Sequence, residues 1–303
     1  MVRFALALIL ASRTGASQDA GSKACQACHP AHFDKQSATG HARSLRLTAD
    51  HPLAARFSPL LGFRPEWAFG GGLQAVTFVS WRDSNAYLEH HLSFYPSLGK
   101  LDVTPGHEGK PAPGVLYPVV AGDAAILRCF RCHSTGALRV TEGLRIGVAE
   151  PGVRCESCHG PGAEHVAKPG LGNIVNPGRY SAAEMNEMCG SCHRKPASTG
   201  DNTDWGNAWN VRHQPLYLAE SACFVKSSGR LSCKTCHDPH SGAVTPSCDQ
   251  CHARPKHRPA TRISGSTCVS CHMPGVVPRP GLKFANHWIG VYAPGRPLRP
   301  VQK

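Results

Sequence analysis

A five-residue pattern, Cys-x-x-Cys-His, occurs seven times in this chain of 303 residues and constrains its fold more than any other feature. At the observed composition, roughly 0.04 copies would arise by chance, so the pattern is specific. On one turn of helix, two cysteines three positions apart share a face, and the histidine follows directly. The seven units are Cys25-Cys28-His29, Cys129-Cys132-His133, Cys155-Cys158-His159, Cys189-Cys192-His193, Cys233-Cys236-His237, Cys248-Cys251-His252 and Cys268-Cys271-His272.

This unit is the attachment signature of c-type haem. The two cysteines form thioethers with the haem vinyl groups, and the histidine binds the iron as its proximal ligand. Zinc knuckles and a disulfide framework are the alternatives, but zinc sites do not require a histidine after every second cysteine. The sequence therefore predicts seven covalently attached haems c, with the fourteen cysteines as attachment sites and the seven histidines as proximal iron ligands.

The composition indicates a fold that is built around cofactors. Only 7% of residues are aromatic, while the chain holds 31 Gly and 25 Pro, which is unlike a domain of long regular elements around a large aliphatic core. Haem macrocycles supply apolar surface that side chains would otherwise provide. We expect a mainly α fold with much irregular loop, in which short helices wrap a packed chain of haems, plus a small β-hairpin near residues 73–95.

The net charge of +13 would ordinarily suggest nucleic acid or an acidic membrane surface as a partner. Seven haems carry fourteen propionates, which would bring the total to about +6 with ferric irons and about −1 with ferrous irons. The basic residues are therefore explained by propionate compensation, and we expect no nucleic-acid partner.

The N-terminus has the features of a secretory signal peptide over residues 1–16, with a basic start, a short apolar run and small residues at its end. We expect residues 17–303 to form a single multihaem domain. Its apolar segments are too short to cross a membrane. Because haem c is attached outside the cytoplasm, the sequence predicts a periplasmic, extracellular or cell-surface location.

Several elements between the units are predicted from local patterns. We expect a helix over residues 31–47, a haem-free insertion over 50–128 and a loop over 105–118. Strands over residues 73–81 and 86–95 should form the hairpin, since both are rich in Val, Thr, Phe, Tyr and Trp. Ser181 and Glu184 form a capping box ahead of the fourth unit. The Pro- and Arg-rich segment 294–303 is predicted to be a surface tail.

Eleven histidines remain after the seven proximal ones, which is enough to give every iron a distal histidine. His240 is too close to His237 to bind the same iron from the opposite face, so it should reach a neighbouring haem. Cys223 lies outside the units and is predicted to be a small buried residue, with an intermolecular bridge or a haem contact as alternatives. The candidate distal ligands are His41, His165, His240, His257 and His287, followed by His91 and His107.

In its Cys-x-x-Cys-His units and the residues around them, the chain resembles the multihaem cytochrome c superfamily that contains the cytochrome c-552/c-554 type domain. The resemblance is carried by residues 24–29 with 37–44, by 155–162 with His165, and by 174–177, 233–240 and 268–274. It covers roughly residues 23–290. The resemblance implies a compact haem chain outside the cytoplasm and does not specify a partner.

Two functions of different classes are compatible with these features. The first is an electron carrier that transfers electrons between redox partners through bis-histidine haems. Its partners would be a membrane quinol dehydrogenase or other cytochromes. The second is an oxidoreductase that acts on a small nitrogen or sulfur compound at one open iron, with His90, His91, His107 and Tyr95 as candidate proton donors. The ligand supply favours the carrier. A third alternative is a subunit of a larger complex or filament, which meets its neighbours through the first and seventh haems.

Overall fold

A six-stranded antiparallel sheet and a series of short helices make up the computed structural model of the chain. The structure describes residues 18–83, 85–120, 125–170, 172–195, 202–246, 248–252 and 267–301. The predicted signal peptide and His257 lie outside the described residues, as does the middle of the segment between the sixth and seventh units.

The sheet lies almost entirely within the haem-free insertion. Its strands follow the order β1-β2-β3-β4-β5, and β6 also pairs with β4. Strand β4 is the longest because one of its edges serves two partners: its first half pairs with β6 and its second half with β5. The six strands are β1 Leu45–Leu47, β2 Trp67–Phe69, β3 Val76–Arg82, β4 Ala86–Tyr95, β5 Lys100–Val103 and β6 Gly114–Pro118.

Each face of the sheet is covered by a helix. Helix α3 (Ala54–Leu61) packs on one face through Phe57 and Leu61, which meet Phe78 and Phe94. Helix α4 (Leu127–His133), which carries the second Cys-x-x-Cys-His unit, packs on the other face through Phe130. Alternation along the strands places successive side chains in the two cores. The second haem unit is therefore built onto the sheet.

The other described units lie on short helical segments, as their spacing predicts. The first residue of a unit accepts the backbone N–H of its histidine, for example between His29 and Cys25 and between His252 and Cys248, so the unit closes one helical turn. The helices are α1 Ser22–Gln26, α2 Pro30–Ser37, α3 Ala54–Leu61, α4 Leu127–His133, α5 Cys155–His159, α6 Ala163–Ala167, α7 Ala182–His193, α8 Gln214–Ala219, α9 Ala222–Lys226 and α10 Cys268–His272. Short 3₁₀ turns cover Thr48–Asp50, Pro177–Arg179, Ala208–Arg212, Cys233–Thr235 and Cys248–Gln250. Two-residue strands form three further pairs, β7 Ser134–Thr135 with β10 Glu150–Pro151, β8 Arg139–Val140 with β9 Ile146–Gly147, and β11 Gly275–Val276 with β12 Phe284–Ala285.

The capping box ahead of the fourth unit is confirmed. The Ser181 hydroxyl accepts the backbone N–H of Glu184, and the Glu184 carboxylate accepts the backbone N–H of Ser181. These bonds satisfy two donors at the start of α7. Helix α7 then continues without a break to His193.

Three expectations about secondary structure were wrong in part. The predicted helix over 31–47 ends at Ser37, where a turn held by the Thr39 hydroxyl leads into β1. The last five residues of the predicted loop 105–118 form β6, because the edge of β4 offers them a partner. The chain is also less dominated by helix than expected: the predicted β3–β4 hairpin exists but belongs to a six-stranded sheet.

Within the described ranges, no helix combines the length and the apolar composition that crossing a membrane requires.

Candidate haem-binding sites

All fifteen cysteines are free of disulfide bonds. Fourteen of them belong to the Cys-x-x-Cys-His units, so each unit offers two thiols and one imidazole to a haem. Burial raises the pKa of the Cys129 and Cys158 thiols to about 11. These thiols are therefore protonated at neutral pH before any thioether forms.

Four proximal histidines each face a second imidazole ring from a distant part of the chain. Two metal–nitrogen bonds of about 2 Å on opposite sides of one iron would place the two ring centres about 6 Å apart. The observed distances between ring centres agree with this value. The pairs are His29 with His165 at 6.5 Å, His159 with His240 at 6.1 Å, His237 with His287 at 6.2 Å, and His193 with His41 at 5.9 Å.

The relative orientation of the rings differs among these pairs. In the first three the ring planes lie within 13–23° of parallel. The planes of His41 and His193 are inclined by 69°. All four distances nevertheless leave space for one iron between two imidazoles, so the residues present fit bis-histidine haems.

Hydrogen bonds hold one nitrogen of several proximal and candidate distal histidines, four of them in the facing pairs, and leave the other nitrogen available. Iron-binding histidines usually donate the N–H of their second nitrogen to an acceptor, which fixes the tautomer. Six ring Nδ1 atoms have such an acceptor. The acceptors are Ser44 O for His133, Val175 O for His159, Gln214 Oε1 for His193, Gly290 O for His272, Asn173 Oδ1 for His165 and Ala285 O for His287, at 2.8–3.1 Å.

Burial also favours the neutral imidazole that an iron ligand requires. It lowers the pKa of His287 to about 4, against the opposing effect of the hydrogen bond to Ala285 O. Burial is likewise the main cause that lowers the pKa of His41 and of His237, with nearby histidines adding to it. These rings are therefore unprotonated at neutral pH.

The ring pairs connect distant units. His165 follows the third unit but faces the proximal histidine of the first, and His41 follows the first unit but faces that of the fourth. His240 follows the fifth unit and faces His159 of the third. Sequence reasoning selected these distal candidates, but it gave no pairing for them because long-range contacts leave no local signal.

The other candidate residues have different surroundings. His91 and His107 face each other, with ring centres 6.1 Å apart, and neither is in ring contact with a proximal histidine. His107 Nε2 lies 3.2 Å from Glu89 Oε2. Tyr95 is buried, and its hydroxyl donates to Val103 O. These positions belong to the sheet and its loops.

Two more histidines of the insertion are occupied by hydrogen bonds. His90 Nε2 lies 2.7 Å from the Ser80 hydroxyl, and the His90 ring stacks on Phe63. His51 Nε2 contacts Gly70 O, and its Nδ1 accepts the backbone N–H of Leu53. Both nitrogens of His51 are therefore engaged within the protein.

The Gly70–72 segment packs against the backbone just before His41, a candidate distal ligand. A Cβ at Gly71 would lie 2.7 Å from Gly40 O, the carbonyl just before His41, so only glycine allows this approach of the two backbones.

A cavity of about 530 Å³ opens beside the second unit and is lined by Leu127, Arg131 and Leu138, among others.

The comparisons with known proteins point to one class. Over 147 residues the chain is 33% identical to the C-type polyheme cytochrome OmcC of Geobacter sulfurreducens. Over 170 residues it is 27% identical to the multiheme cytochrome MtrA of Shewanella baltica. These matches cover 45% and 48% of this chain, but only 17% of OmcC and 45% of MtrA. The chain therefore spans less than half the length of either relative.

Two solved structures share the fold. The outer cell wall cytochrome OcwA superposes with a TM-score of 0.61 at 17% identity, covering 89% of this chain and 79% of OcwA. The undecaheme cytochrome from the S-layer of Carboxydothermus ferrireducens gives a TM-score of 0.51 at 19% identity, covering 84% of this chain and 44% of that one. No protein-family model matches the chain. These relatives are multihaem cytochromes, and the likeness supports the haem binding that the repeated attachment units and the facing imidazoles indicate.

Proposed function

We propose that this chain is an extracytoplasmic cytochrome that binds seven haems c and transfers electrons between redox partners through bis-histidine haems. The observation that carries the proposal is the set of four facing imidazole pairs at 5.9–6.5 Å, each including the proximal histidine of a different unit. An iron held on both sides by imidazole is low-spin and exchanges electrons without binding a substrate.

The residues of the chain set the properties of such haems. Carbonyl and side-chain acceptors on Nδ1 orient each ring and increase its basicity, as Asn173 does for His165 and Gln214 for His193. Because the distal ring comes from another unit in each pair, ligation also ties the units together. The haem supplies the one-electron chemistry, and the chain supplies ligation, burial and spacing.

The relatives support a location outside the cytoplasm. OcwA is an outer cell wall cytochrome, and the undecaheme cytochrome comes from an S-layer. Together with the predicted signal peptide, they support an exported protein at the periplasm or the cell surface. Its partners are then other cytochromes or a membrane quinol dehydrogenase, and acidic docking sites on them would complement the oxidised chain.

Replacement of His240 by alanine tests the proposal. The purified oxidised variant should retain seven covalent haems by denaturing mass spectrometry, while one haem becomes high-spin in its electron paramagnetic resonance spectrum. The His32→Ala variant is the matched control, since His32 packs 4.8 Å from His240 but faces no proximal ring. An unchanged spectrum in His240→Ala, or fewer than seven haems in the wild type, would contradict the proposal.

An oxidoreductase that acts on a small nitrogen or sulfur compound is the second candidate function. It requires an iron with an open distal position. One observation favours it: within the described residues, the only ring contact of His133 is with Phe69, not with another imidazole. Cyanide binding by the oxidised wild type separates the two functions. An electron carrier whose haems are all low-spin should bind cyanide poorly, whereas an oxidoreductase with an open iron should bind it.

A further inference from the structure

Contacts between thiols of different units show which haems are neighbours. Each cysteine forms a thioether at the edge of its haem, so two cysteines in contact bring two haem edges together. Side chains share a hydrogen bond between the first unit and the third, the second and the fourth, the fourth and the fifth, and the sixth and the seventh. The pairs are Cys25 with Cys155, Cys132 with Cys192, Cys189 with Cys233, and Cys248 with Cys268.

The thiols of the fourth unit lie beside those of three other units. Cys192 meets the second unit, and Cys189 meets the fifth. Both are also close enough to Cys158 of the third unit to raise the pKa of its thiol, although burial is the larger cause. Cys236 of the fifth unit lies near Cys248 of the sixth, which continues the line toward the seventh.

A buried asparagine fixes the fourth unit against the fifth. The Asn186 carbonyl oxygen accepts the backbone N–H of Cys233 at 3.0 Å and lies 3.2 Å from its thiol sulfur. The amide nitrogen of Asn186 donates to Leu231 O. Asn186 belongs to α7, which ends in the fourth unit at His193. These bonds therefore hold the two attachment sites at a fixed separation.

The imidazoles of the fourth haem lie near those of its neighbours. His41 and His193 face each other with ring centres 5.9 Å apart. After burial, which is the larger cause, the charge of His193 lowers the pKa of His133 in the second unit and of His237 in the fifth. Such an effect requires a short distance between the groups. The proximal rings of these three units are therefore close together.

The proximal ligand of the fourth haem also has a different kind of hydrogen-bond acceptor. Backbone carbonyls lie beside Nδ1 of His133, His159 and His272, whereas His193 has the side-chain oxygen of Gln214 at 3.1 Å. The acceptor on a ligating imidazole influences its basicity, and hydrogen bonding near the iron influences the haem potential. A side chain at this position can be exchanged without removing an iron ligand.

We propose that the fourth haem is the junction of a branched haem network, with the second, third and fifth haems as its neighbours, and that Gln214 is a positioning residue that sets its potential. The first haem extends from the third, and the sixth and seventh extend from the fifth. Electrons that enter at the first, second or seventh haem therefore meet at the fourth. The inference rests on the proposed covalent bis-histidine haems and adds the route between them.

Variants that turn one chosen haem into an electron trap test the network. Methionine in place of a distal histidine raises the potential of a haem, so the fourth haem should be reduced first in His41→Met. In the matched control His165→Met, the first haem should be reduced first. One electron per molecule is added to the purified holoprotein, and haem-methyl signals are followed by nuclear magnetic resonance. Reduction removes the paramagnetism of one low-spin iron and shifts the signals of adjacent haems.

The two variants should differ in the number of neighbours that respond. Reduction of the trap should shift the methyl signals of three other haems in His41→Met, but of one other haem in His165→Met. A single responding haem in His41→Met, or three in His165→Met, would overturn the junction and leave the electron carrier standing. Fewer than seven covalent haems in the wild type would instead contradict the proposed function.

Substitutions of Gln214 test its role while every iron ligand stays in place. Gln214→Glu should lower the potential of one haem, because a carboxylate makes the imidazole more basic, and Gln214→Leu should raise it. Redox titration of the methyl signals measures both shifts. Signals of three other haems should again change as this haem is reduced, which tests the junction independently of His41→Met.

Asn173 provides the matched control for Gln214, because it accepts a hydrogen bond from His165 of the first haem at 2.9 Å. Asn173→Asp and Asn173→Leu should shift the potential of a different haem, with one neighbour responding. Identical potentials in the wild type and both Gln214 variants would overturn the role of Gln214. A Gln214 effect on the same haem that Asn173 affects would overturn its assignment to the fourth haem.

Discussion

The sheet region, residues 45–118, and the haem-unit region, residues 18–44 and 127–301, are stabilised in different ways. Two clusters of buried side chains cover the two faces of the sheet, and aromatic residues such as Phe57, Phe78, Phe94 and Tyr87 are fully buried in them. In the haem-unit region the described buried cluster is smaller and centres on Leu216 and Tyr217. Most of its helices are about one turn long.

The difference shows where the cofactor is needed for folding. A single helical turn is unstable in water by itself, because helix nucleation is unfavourable. The sheet region buries enough side-chain surface to be held by its own core, whereas the short helices need haem surface and iron ligation to fix them. Unit two belongs to both regions, because α4 contributes Phe130 to the core of the sheet.

The largest expected effect is that of withholding haem. When the chain is produced without a haem-attachment system, amides of β3 and β4 should remain protected in hydrogen exchange, while those of α5 and α10 should exchange at nearly the unfolded rate. Exchange measured by mass spectrometry at matched peptides tests this. Equal protection in both regions would contradict the proposed difference in how they are stabilised, and so would complete loss of protection in the sheet.

A core substitution in the sheet should have the next largest effect. Phe78 is fully buried between Phe57 and its neighbours, so Phe78→Ala should reduce the free energy of unfolding of the sheet by about 3–5 kcal/mol. Haem content should stay at the wild-type value. Protection of β3 amides in the holoprotein measures the change.

Leu73→Ala provides the control for this substitution. Leu73 is 79% exposed, so its truncation should change stability by less than about 0.5 kcal/mol. A loss of covalent haem in Phe78→Ala would show that the sheet is required for haem attachment and would remove the distinction between the regions.

Local sequence patterns predicted the features that depend on neighbouring residues. The helical turns of the described units, the Ser181–Glu184 capping box and the β3–β4 hairpin all follow from spacing or residue type. Strands β1 and β2 were missed because three residues are too few to show alternation. Their pairing depends on contacts formed only in the folded chain.

The candidate distal iron ligands were predictable to the same extent. The candidates His41, His165, His240 and His287 stood out from a surplus of histidines, but their partners became visible only in the fold. Glu89 was not selected, although the candidate His107, which contacts its carboxylate, was. A charged residue within the apolar strand β4 was the available signal, and strand charges more often face solvent.

The smallest expected effect concerns a buried histidine of the sheet region. His51 is 3% exposed; its Nδ1 accepts the Leu53 N–H at 3.0 Å, and its Nε2 therefore donates to Gly70 O. This arrangement requires the neutral ring. Burial is the main cause that lowers the pKa of His51 below its ordinary value, and Arg46 and Arg43 lower it further.

The pH dependence follows from this direction. Because the pKa is lower in the folded protein than in the unfolded chain, the neutral ring stabilises the fold fully above pH about 6.5, and the contribution is lost as the pH falls below that value. The loss should reach about 1 kcal/mol, since a protonated Nδ1 can no longer accept the Leu53 N–H. In the His51→Phe variant this part of the pH dependence should be absent, while the exposed His32→Ala control keeps it. Denaturant unfolding at pH 7 and pH 5, followed through hydrogen exchange of the sheet, measures the difference. If the effect appeared in α10 as strongly as in β2, the two regions would unfold as one unit, and the comparison would not hold.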